Sequence, residues 1–190
     1  MMNTNILITG VGGQGIVLAS KLIAGTAMRK SIPVMSAETI GMAQKGGSVQ
    51  SYLRLGEGAY SAMFPRKTAD LLIAFEPGEA VRMLPFLKKG GTAVVNTHAI
   101  IPTTASLSGQ PYSGDEMLRY LQKADANLIL VDGDDACRSL GSARALNMVL
   151  LGAALKEKVL PFTVEEVEEV MKESVRPQYV ELNARALRIG

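Results

Sequence analysis

The feature that most constrains this chain is a glycine-rich segment directly after a short run of strand-forming residues. Residues 5–9 read NILIT, and residues 10–15 read GVGGQG. From residue 16 to Met28, apolar residues recur at helical intervals. Because glycines allow a tight turn and a close backbone approach, the segment predicts a strand, a turn and a helix whose first amides face an anion. A phosphate or pyrophosphate is the natural occupant of such a turn.

The spacing of Gly10, Gly12 and Gly15 matches the G-x-G-x-x-G fingerprint of dinucleotide-binding folds. That fingerprint also needs an acidic residue about 20 positions later, at the end of the second strand, to hold a ribose. The first acid after the glycines is Glu38, beyond the usual distance, which weakens a classical NAD site. A P-loop is excluded, because Ile16 follows the glycines where that motif needs a lysine. The alternative that the glycines only allow close packing of strand and helix stays open.

A second run of small residues follows the second predicted strand, which we place at residues 32–35. Residues 41–48 read GMAQKGGS. In a doubly wound sheet, loops of this kind gather at the same edge as the first glycine turn, where Lys45 would meet the same anion. A flexible turn with a solvated lysine is the competing interpretation. The candidate ligand-binding residues are Gly10, Gly12, Gly13, Gln14, Gly15, Lys45, Gly46, Gly47 and Ser48.

The rest of the chain alternates between strand-like and helix-like segments. Residues 71–75, 92–96 and 127–131 are apolar runs of the kind found in buried parallel strands. Pro77 favours the start of a helix, which we expect to end at Gly90-Gly91.

Two further segments complete the predicted fold. Residues 49–55 are expected to form an antiparallel hairpin with residues 59–64 at a sheet edge. Beyond Asp132 the pattern is helical, with helices expected at 143–158 and 164–174 and a last one opened by Pro177. We therefore predict an α/β fold, a Rossmann-like doubly wound, mostly parallel sheet with a β-hairpin at an edge and a helical C-terminal part. One domain is expected to span residues 1–190.

Composition removes several classes of function. The 20 basic and 18 acidic side chains give a net charge of +2, too weak a field to indicate a nucleic acid or a membrane as partner. The longest uncharged apolar stretches, such as residues 148–155, fall short of the roughly 18 residues that a membrane span needs, so we expect a cytoplasmic protein. Cys137 is the only cysteine, so an iron–sulfur cluster would have to be held by another chain.

Three other groups of residues are assigned no chemistry. Residues 132–135 read DGDD, which we interpret as a strand end and helix cap rather than a magnesium site. The order also differs from the Gly-Asp-Gly motif of thiamine diphosphate enzymes. His98, the only histidine, has no acid close to it in the sequence and is interpreted as a solvated loop residue. Cys137 is interpreted as a packing residue near a helix start.

Taken together, the chain resembles the gamma-type subunit of the 2-oxoacid:acceptor oxidoreductases. The resemblance rests on Gly-x-Gly-Gly-Gln-Gly at residues 10–15, the second loop at 41–48 and Ala74-Phe75-Glu76-Pro77. It continues over residues 145–153, with Asn147 and Leu151-Gly152-Ala153. The form of the second loop is most similar to the indolepyruvate branch, whose members commonly have a histidine where this chain has Ile40 and an arginine in place of Lys45.

The resemblance implies a division of labour between two subunits. A large partner subunit would hold thiamine diphosphate, magnesium and iron–sulfur clusters, decarboxylate the 2-oxoacid and pass electrons to ferredoxin. The acyl group would end on coenzyme A, which the small subunit helps to bind, and the small subunit would bind no cofactor by itself. Two rivals remain: a free-standing NAD(P)-binding Rossmann oxidoreductase and a non-enzymatic nucleotide-sensing or scaffold module.

Overall fold

The computed structural model describes residues 3–40, 46–58, 60–102 and 111–190. Within these ranges, six strands hydrogen-bond into one sheet in the order β2-β3-β1-β4-β5-β6. The strands are β1 (Thr4–Val11), β2 (Val34–Ile40), β3 (Ser48–Leu55), β4 (Ala69–Ala74), β5 (Leu87–Asn96) and β6 (Asn127–Val131). Strands β1, β4, β5 and β6 are parallel neighbours, whereas β3 runs antiparallel to both β1 and β2. The prediction of a mostly parallel α/β sheet with an antiparallel hairpin at one edge is confirmed.

Seven α-helices accompany the sheet in the described ranges. They are α1 (Ile16–Arg29), α2 (Pro77–Met83), α3 (Gly114–Leu121), α4 (Gly133–Leu140), α5 (Leu146–Lys156), α6 (Val164–Ser174) and α7 (Val180–Ile189). The predicted start of α1, both ends of α6 and the start of α2 at Pro77 are confirmed. Short 3₁₀ turns at Ala143–Ala145 and Pro177–Tyr179 precede α5 and α7, so these two helices begin three residues later than expected.

The helices cover both faces of the sheet because side chains alternate along each strand. Ile6 and Ile8 of β1 are buried in the cluster that contains α1 and the C-terminal helices α4 to α7. Leu7, between them, is buried on the opposite face with α2 and α3. No helix within the described ranges is long and apolar enough to cross a membrane.

Three expectations about strands and helix ends were wrong. The second strand was expected at residues 32–35 but runs from Val34 to Ile40, so that Glu38 lies within it. The helix from Pro77 ends at Met83, and Gly90-Gly91 lies inside β5, where Gly90 has φ +66° and the pairing with β4 shifts register. Residues 60–64 form no strand. The hairpin partner of β3 is β2, paired from Val34 with Leu55 to Ile40 with Val49. Because β3 already pairs on both sides, no edge is left for a returning strand after residue 58.

Candidate functional site

The candidate site lies at the carboxyl edge of the parallel strands. Residues that follow β1, β4, β5 and β6 share this edge, and β3 begins there because Val11 pairs with Ser48. After β1 the chain turns to one face through α1, whereas after β4 it turns to the other face through α2. The boundary between β1 and β4 is therefore a topological switch point, the place where doubly wound sheets bind ligands.

The two glycine-rich loops meet at this edge. The Gly12 N–H donates to the Gly47 carbonyl at 2.8 Å, and the Gly46 N–H donates to the Gly12 carbonyl at 3.5 Å. These bonds continue the antiparallel pairing of β1 with β3 beyond Ser48. The first loop and the end of the second loop are consequently one surface, as the sequence led us to expect. Lys45 lies outside the described residues.

The Gln14 side chain points into the protein. Its Oε1 accepts from the Val11 N–H at 2.7 Å, and its Nε2 donates to the Phe75 carbonyl at 3.1 Å. The carboxamide therefore spans the switch point and ties the end of β1 to the residue that follows β4. The sequence interpretation counted Gln14 among the ligand-binding residues, but both polar atoms of this side chain are engaged within the protein.

Two of the glycines are required by close packing. A Cβ on Gly10 would lie 2.7 Å from the Phe75 Cβ, and one on Gly15 would lie 2.7 Å from Asn147 Nδ2. Gly15 also has φ +89°, a conformation that side-chain-bearing residues rarely adopt. The packing interpretation therefore holds for these two positions.

Gly13 and Gly46, in contrast, border open space. Both have positive φ, +103° and +80°, and within the described residues no heavy atom lies within 4 Å of a Cβ built on either one. Among the same residues no acceptor lies within hydrogen-bonding reach of the Gly13 and Gly15 N–H groups. These positions leave room and donors for an anion.

The N-terminal end of α1 carries an uncompensated positive partial charge. Its N-cap, Gly15, offers no side chain to the free amides, and the first turn contains no acidic residue. In contrast, Glu76 caps α2, Asp132 caps α4 and Thr163 caps α6. An uncapped helix start beside a glycine turn favours a bound anion.

Two buried carboxylates lie behind the glycine loops, and the sequence analysis gave them no role. Glu76 is 1% exposed and Glu79 is 6% exposed. Glu79 Oε2 accepts from the Ser48 hydroxyl at 2.5 Å and from the Thr9 hydroxyl at 3.5 Å. Ser48, a candidate ligand-binding residue, therefore bonds to α2 and holds the end of the second loop against it. Glu76 is the N-cap of α2, and the sequence signal for this cap is a glutamate directly before Pro77 after a strand.

Glu76 links α2 to the segment that precedes α3. Its Oε2 accepts from the Glu79 N–H at 2.8 Å, and its Oε1 accepts from the Tyr112 hydroxyl at 2.5 Å. Burial raises the pKa of Tyr112 strongly, and the hydrogen bond and negative charge of Glu76 raise it further. The phenol is therefore held in its neutral, donating form.

The histidine environment differs from the expectation. His98 Nδ1 lies 2.7 Å from Asp134 Oδ2, so an acid far away in the sequence is a neighbour in space. The two side chains are about half-exposed, which limits the energy of the pair. Within the described ranges, no group of three or more His, Cys, Asp or Glu side chains could hold a metal ion.

The other two interpretations agree with the structure. Asp132 ends β6 and caps α4, accepting from the Asp135 N–H at 2.9 Å. Cys137 is 8% exposed within the core, and burial raises the pKa of its thiol, so the thiolate is disfavoured.

The family model described as pyruvate ferredoxin/flavodoxin oxidoreductase matches residues 5–190. The chain is 38% identical over 190 residues to the indolepyruvate oxidoreductase subunit IorB of Archaeoglobus fulgidus, covering 100% of this chain and 94% of the relative. It is 27% identical over 179 residues to the pyruvate/ketoisovalerate oxidoreductases common subunit gamma of Thermococcus kodakarensis, covering 93% and 89%.

Solved structures show the same fold. The pyruvate oxidoreductase subunit PORC of Thermotoga maritima superimposes with a TM-score of 0.73 at 22% identity, covering 99% of this chain and 94% of that one. The 2-oxoglutarate:ferredoxin oxidoreductase of Magnetococcus marinus, solved with 2-oxoglutarate, coenzyme A and succinyl-CoA bound, gives a TM-score of 0.70 at 21% identity. That match covers 98% of this chain but 30% of the longer one.

We predict that Gln14→Leu lowers the free energy of unfolding by about 1–3 kcal/mol, because the Val11 N–H loses its partner at a half-buried position. Gln14→Glu should also destabilise the protein, since it keeps the acceptor for Val11 but sets a carboxylate oxygen against the Phe75 carbonyl. Urea denaturation measures both variants, with Gln122→Leu at an exposed position as control. Wild-type stability in Gln14→Leu would show that the bridge is unimportant.

We also predict that Tyr112 makes the folded protein lose stability at alkaline pH. Because its pKa is raised in the folded state above the ordinary 10.0, the neutral phenol stabilises the fold below about pH 10. That contribution is lost as the pH rises further, since the unfolded chain releases the proton first. Between about pH 9 and 11, the wild type should therefore lose more stability in urea than Tyr112→Phe. Tyr120→Phe, at a residue 58% exposed, should follow the wild type, and parallel curves for all three proteins would contradict the prediction.

Proposed function

We propose that this chain, which belongs to the pyruvate ferredoxin/flavodoxin oxidoreductase family, is the small subunit of an indolepyruvate (arylpyruvate) oxidoreductase. Such an enzyme oxidatively decarboxylates a 2-oxoacid to an acyl-CoA with ferredoxin as electron acceptor. The observation that carries the proposal is the full-length likeness to relatives named for indolepyruvate, at higher identity than to those named for pyruvate and ketoisovalerate.

In this proposal, decarboxylation and electron transfer belong to a large partner subunit that holds thiamine diphosphate, magnesium and iron–sulfur clusters. The chain's single cysteine is consistent with this division, because clusters of this kind are held by several thiolates. The complex acts in the cytoplasm, and residues 1–190 form one domain. The single sheet shared by all six described strands supports the one-domain assignment.

In this proposal, the role of this chain is to bind coenzyme A through its phosphate groups. The open backbone at Gly13 and Gly46 admits a ligand, and the uncapped start of α1 attracts its negative charge. Gly12 and Gly47 hold the two loops together, while Ser48 anchors the second loop to Glu79. Lys45 completes the proposed site as a further positive charge.

The rival interpretation as a free-standing NAD(P)-binding enzyme lacks its ribose anchor. In a dinucleotide-binding unit the acidic residue ends the strand beside β1. Here β3 lies between β1 and β2, so Glu38 is two strand spacings, roughly 10 Å, away from β1. A ligand on the glycine turn would need a different recognition of its ribose.

The proposal predicts that the chain alone is inactive but activates a cluster-bearing large subunit toward arylpyruvates. The assay follows reduction of a viologen dye with coenzyme A present, using the large subunit alone, the small subunit alone and both together. Activity that needs both chains and prefers indolepyruvate to pyruvate supports the proposal. A large subunit that works equally well alone would refute it, and saturable micromolar binding of NADH by the isolated chain would favour the rival.

A charge at Gly13 should weaken coenzyme A binding in the assembled enzyme. Asp and Asn tolerate positive φ better than other side chains, so Gly13→Asp and Gly13→Asn differ mainly in charge. We expect Gly13→Asp to raise the KM for coenzyme A about tenfold over Gly13→Asn, equivalent to about 1.4 kcal/mol. The KM for the 2-oxoacid should stay the same.

Gly141 provides the matched control, because it also has positive φ (+72°) and open space but ends α4 away from the loops. Gly141→Asp and Gly141→Asn should therefore share one KM for coenzyme A. An equal KM in Gly13→Asp and Gly13→Asn would mean that no phosphate lies near Gly13.

A further inference from the structure

A cavity beside the glycine turn lies where four helices meet. It has a volume of about 160 Å³ and receives residues from α1, α5, α7 and the C-terminal cap of α6. Leu18, Val175 and Leu182 form its apolar walls, and Asn147 and Asn183 supply carboxamides. Asn147 also contacts the glycine turn, since its Nδ2 fills the space where a Gly15 side chain would lie.

The two asparagines carry unused hydrogen-bonding capacity. Asn147 is 5% exposed and Asn183 is 8% exposed, so both are more than nine-tenths buried. Asn147 Oδ1 accepts from the Met148 N–H at 3.0 Å, but its Nδ2 has no acceptor among the described residues. Within the same residues the Asn183 carboxamide has no partner at all, although it lines the cavity. Among the described residues, Ser51 Oγ is the only side-chain N or O atom that is both fully buried and unpaired. The free amide groups of Asn147 and Asn183 therefore reach the solvent-accessible cavity, where they are available to a ligand.

The charge around the cavity is positive. Arg144 lies at its rim, donates to the Tyr179 hydroxyl at 3.4 Å and forms no ion pair in the described ranges. None of the lining residues is acidic. An anionic group is favoured over a neutral or cationic one.

The positive charge of Arg144 also acts on Tyr179, which lines the same cavity. Its pKa is lowered first by a hydrogen bond with Gln178 and then by the positive charge of Arg144, with a smaller contribution from Arg176. A phenolate and a carboxylate respond alike to a local cation. The positive charge of Arg144 would therefore favour a carboxylate at this rim as well.

The volume of the cavity limits the size of the apolar part of the ligand. An engineered apolar cavity of about 150 Å³ holds a benzene molecule, so a space of this volume takes one six-membered ring or a branched chain of similar size. We propose that the cavity binds a small carboxylate with an apolar body of that size. Its carboxylate pairs with Arg144 and the asparagine amides, and its body packs on Leu18 and Leu182. Binding in this cavity does not require coenzyme A, although Asn147 borders both this cavity and the glycine turn.

Phenylacetate serves as the probe, titrated into the full chain and followed by calorimetry or NMR. We expect saturable binding in the millimolar range or tighter. Arg144→Gln should weaken it about tenfold, because a charge-assisted hydrogen bond contributes about 1.5–3 kcal/mol. Neutral phenylacetamide should bind the wild type more weakly by a similar factor. Arg119→Gln, which removes the same charge from an exposed site on α3, should bind phenylacetate like the wild type.

Asn183→Leu separates binding from folding. Leucine has a similar volume and removes the unpaired carboxamide, so this variant should be as stable as the wild type in urea but bind phenylacetate several-fold more weakly. Absence of saturable binding, or equal affinity of wild type and Arg144→Gln, overturns the proposal. Equal binding of phenylacetate and phenylacetamide overturns it as well. Competitive displacement of phenylacetate by the large subunit would identify the cavity as a seat for a partner side chain and would also overturn it.

Discussion

The carboxamide of Gln14 connects the parts of the molecule on which the site depends. β1 and β4 pair as far as Thr9 and Ala74, and the Phe75 N–H donates to the Thr9 carbonyl at 2.9 Å. Beyond these residues the chain leaves the two strands toward opposite faces. Gln14 extends the connection by accepting from the Val11 N–H and donating to the Phe75 carbonyl. The Asn96 carboxamide donates to the same Phe75 carbonyl and accepts from the Gly133 N–H, which extends the chain of contacts to the ends of β5 and β6. The open glycines are thereby presented from a fixed base.

Local signals in the sequence were sufficient for most of the fold. A helix start after Gly15, the proline at the start of α2 and the Thr163 cap of α6 each depend on residues within one turn of the element. The wrong predictions concern positions whose secondary structure depends on residues far away in the sequence. Gly90 resembles a helix stop, yet pairing of β5 with β4 and a hydrogen bond from the Gly90 N–H to the Asp125 carbonyl make it part of a strand.

The candidate site also has features that could be predicted from the sequence and others that could not. The two glycine loops could be predicted, since backbone freedom is encoded by glycine itself. The pairing of Ser48 with Glu79 and of His98 with Asp134 could not, because these residues are brought together by the order of strands rather than by spacing along the chain. The cavity beside α1 is a stronger case. Asn147 belongs to the segment 145–153 that carries part of the family resemblance, but no spacing along the chain places Asn183 beside it.

One topological fact explains both what the site lacks and what it gains. Insertion of β3 between β1 and β2 moves Glu38 away from the glycine turn, which removes the acid that a dinucleotide ribose needs. The same insertion places the start of β3 beside the end of β1, so that Gly46 and Gly47 extend the cradle formed by Gly12 and Gly13. In the proposed function, a phosphate would be held between these two loops, and the rest of the ligand would remain free of the sheet edge and accessible to another subunit. The antiparallel strand in this Rossmann-like sheet is thus compatible with the proposal that the chain holds one end of a ligand for a partner subunit.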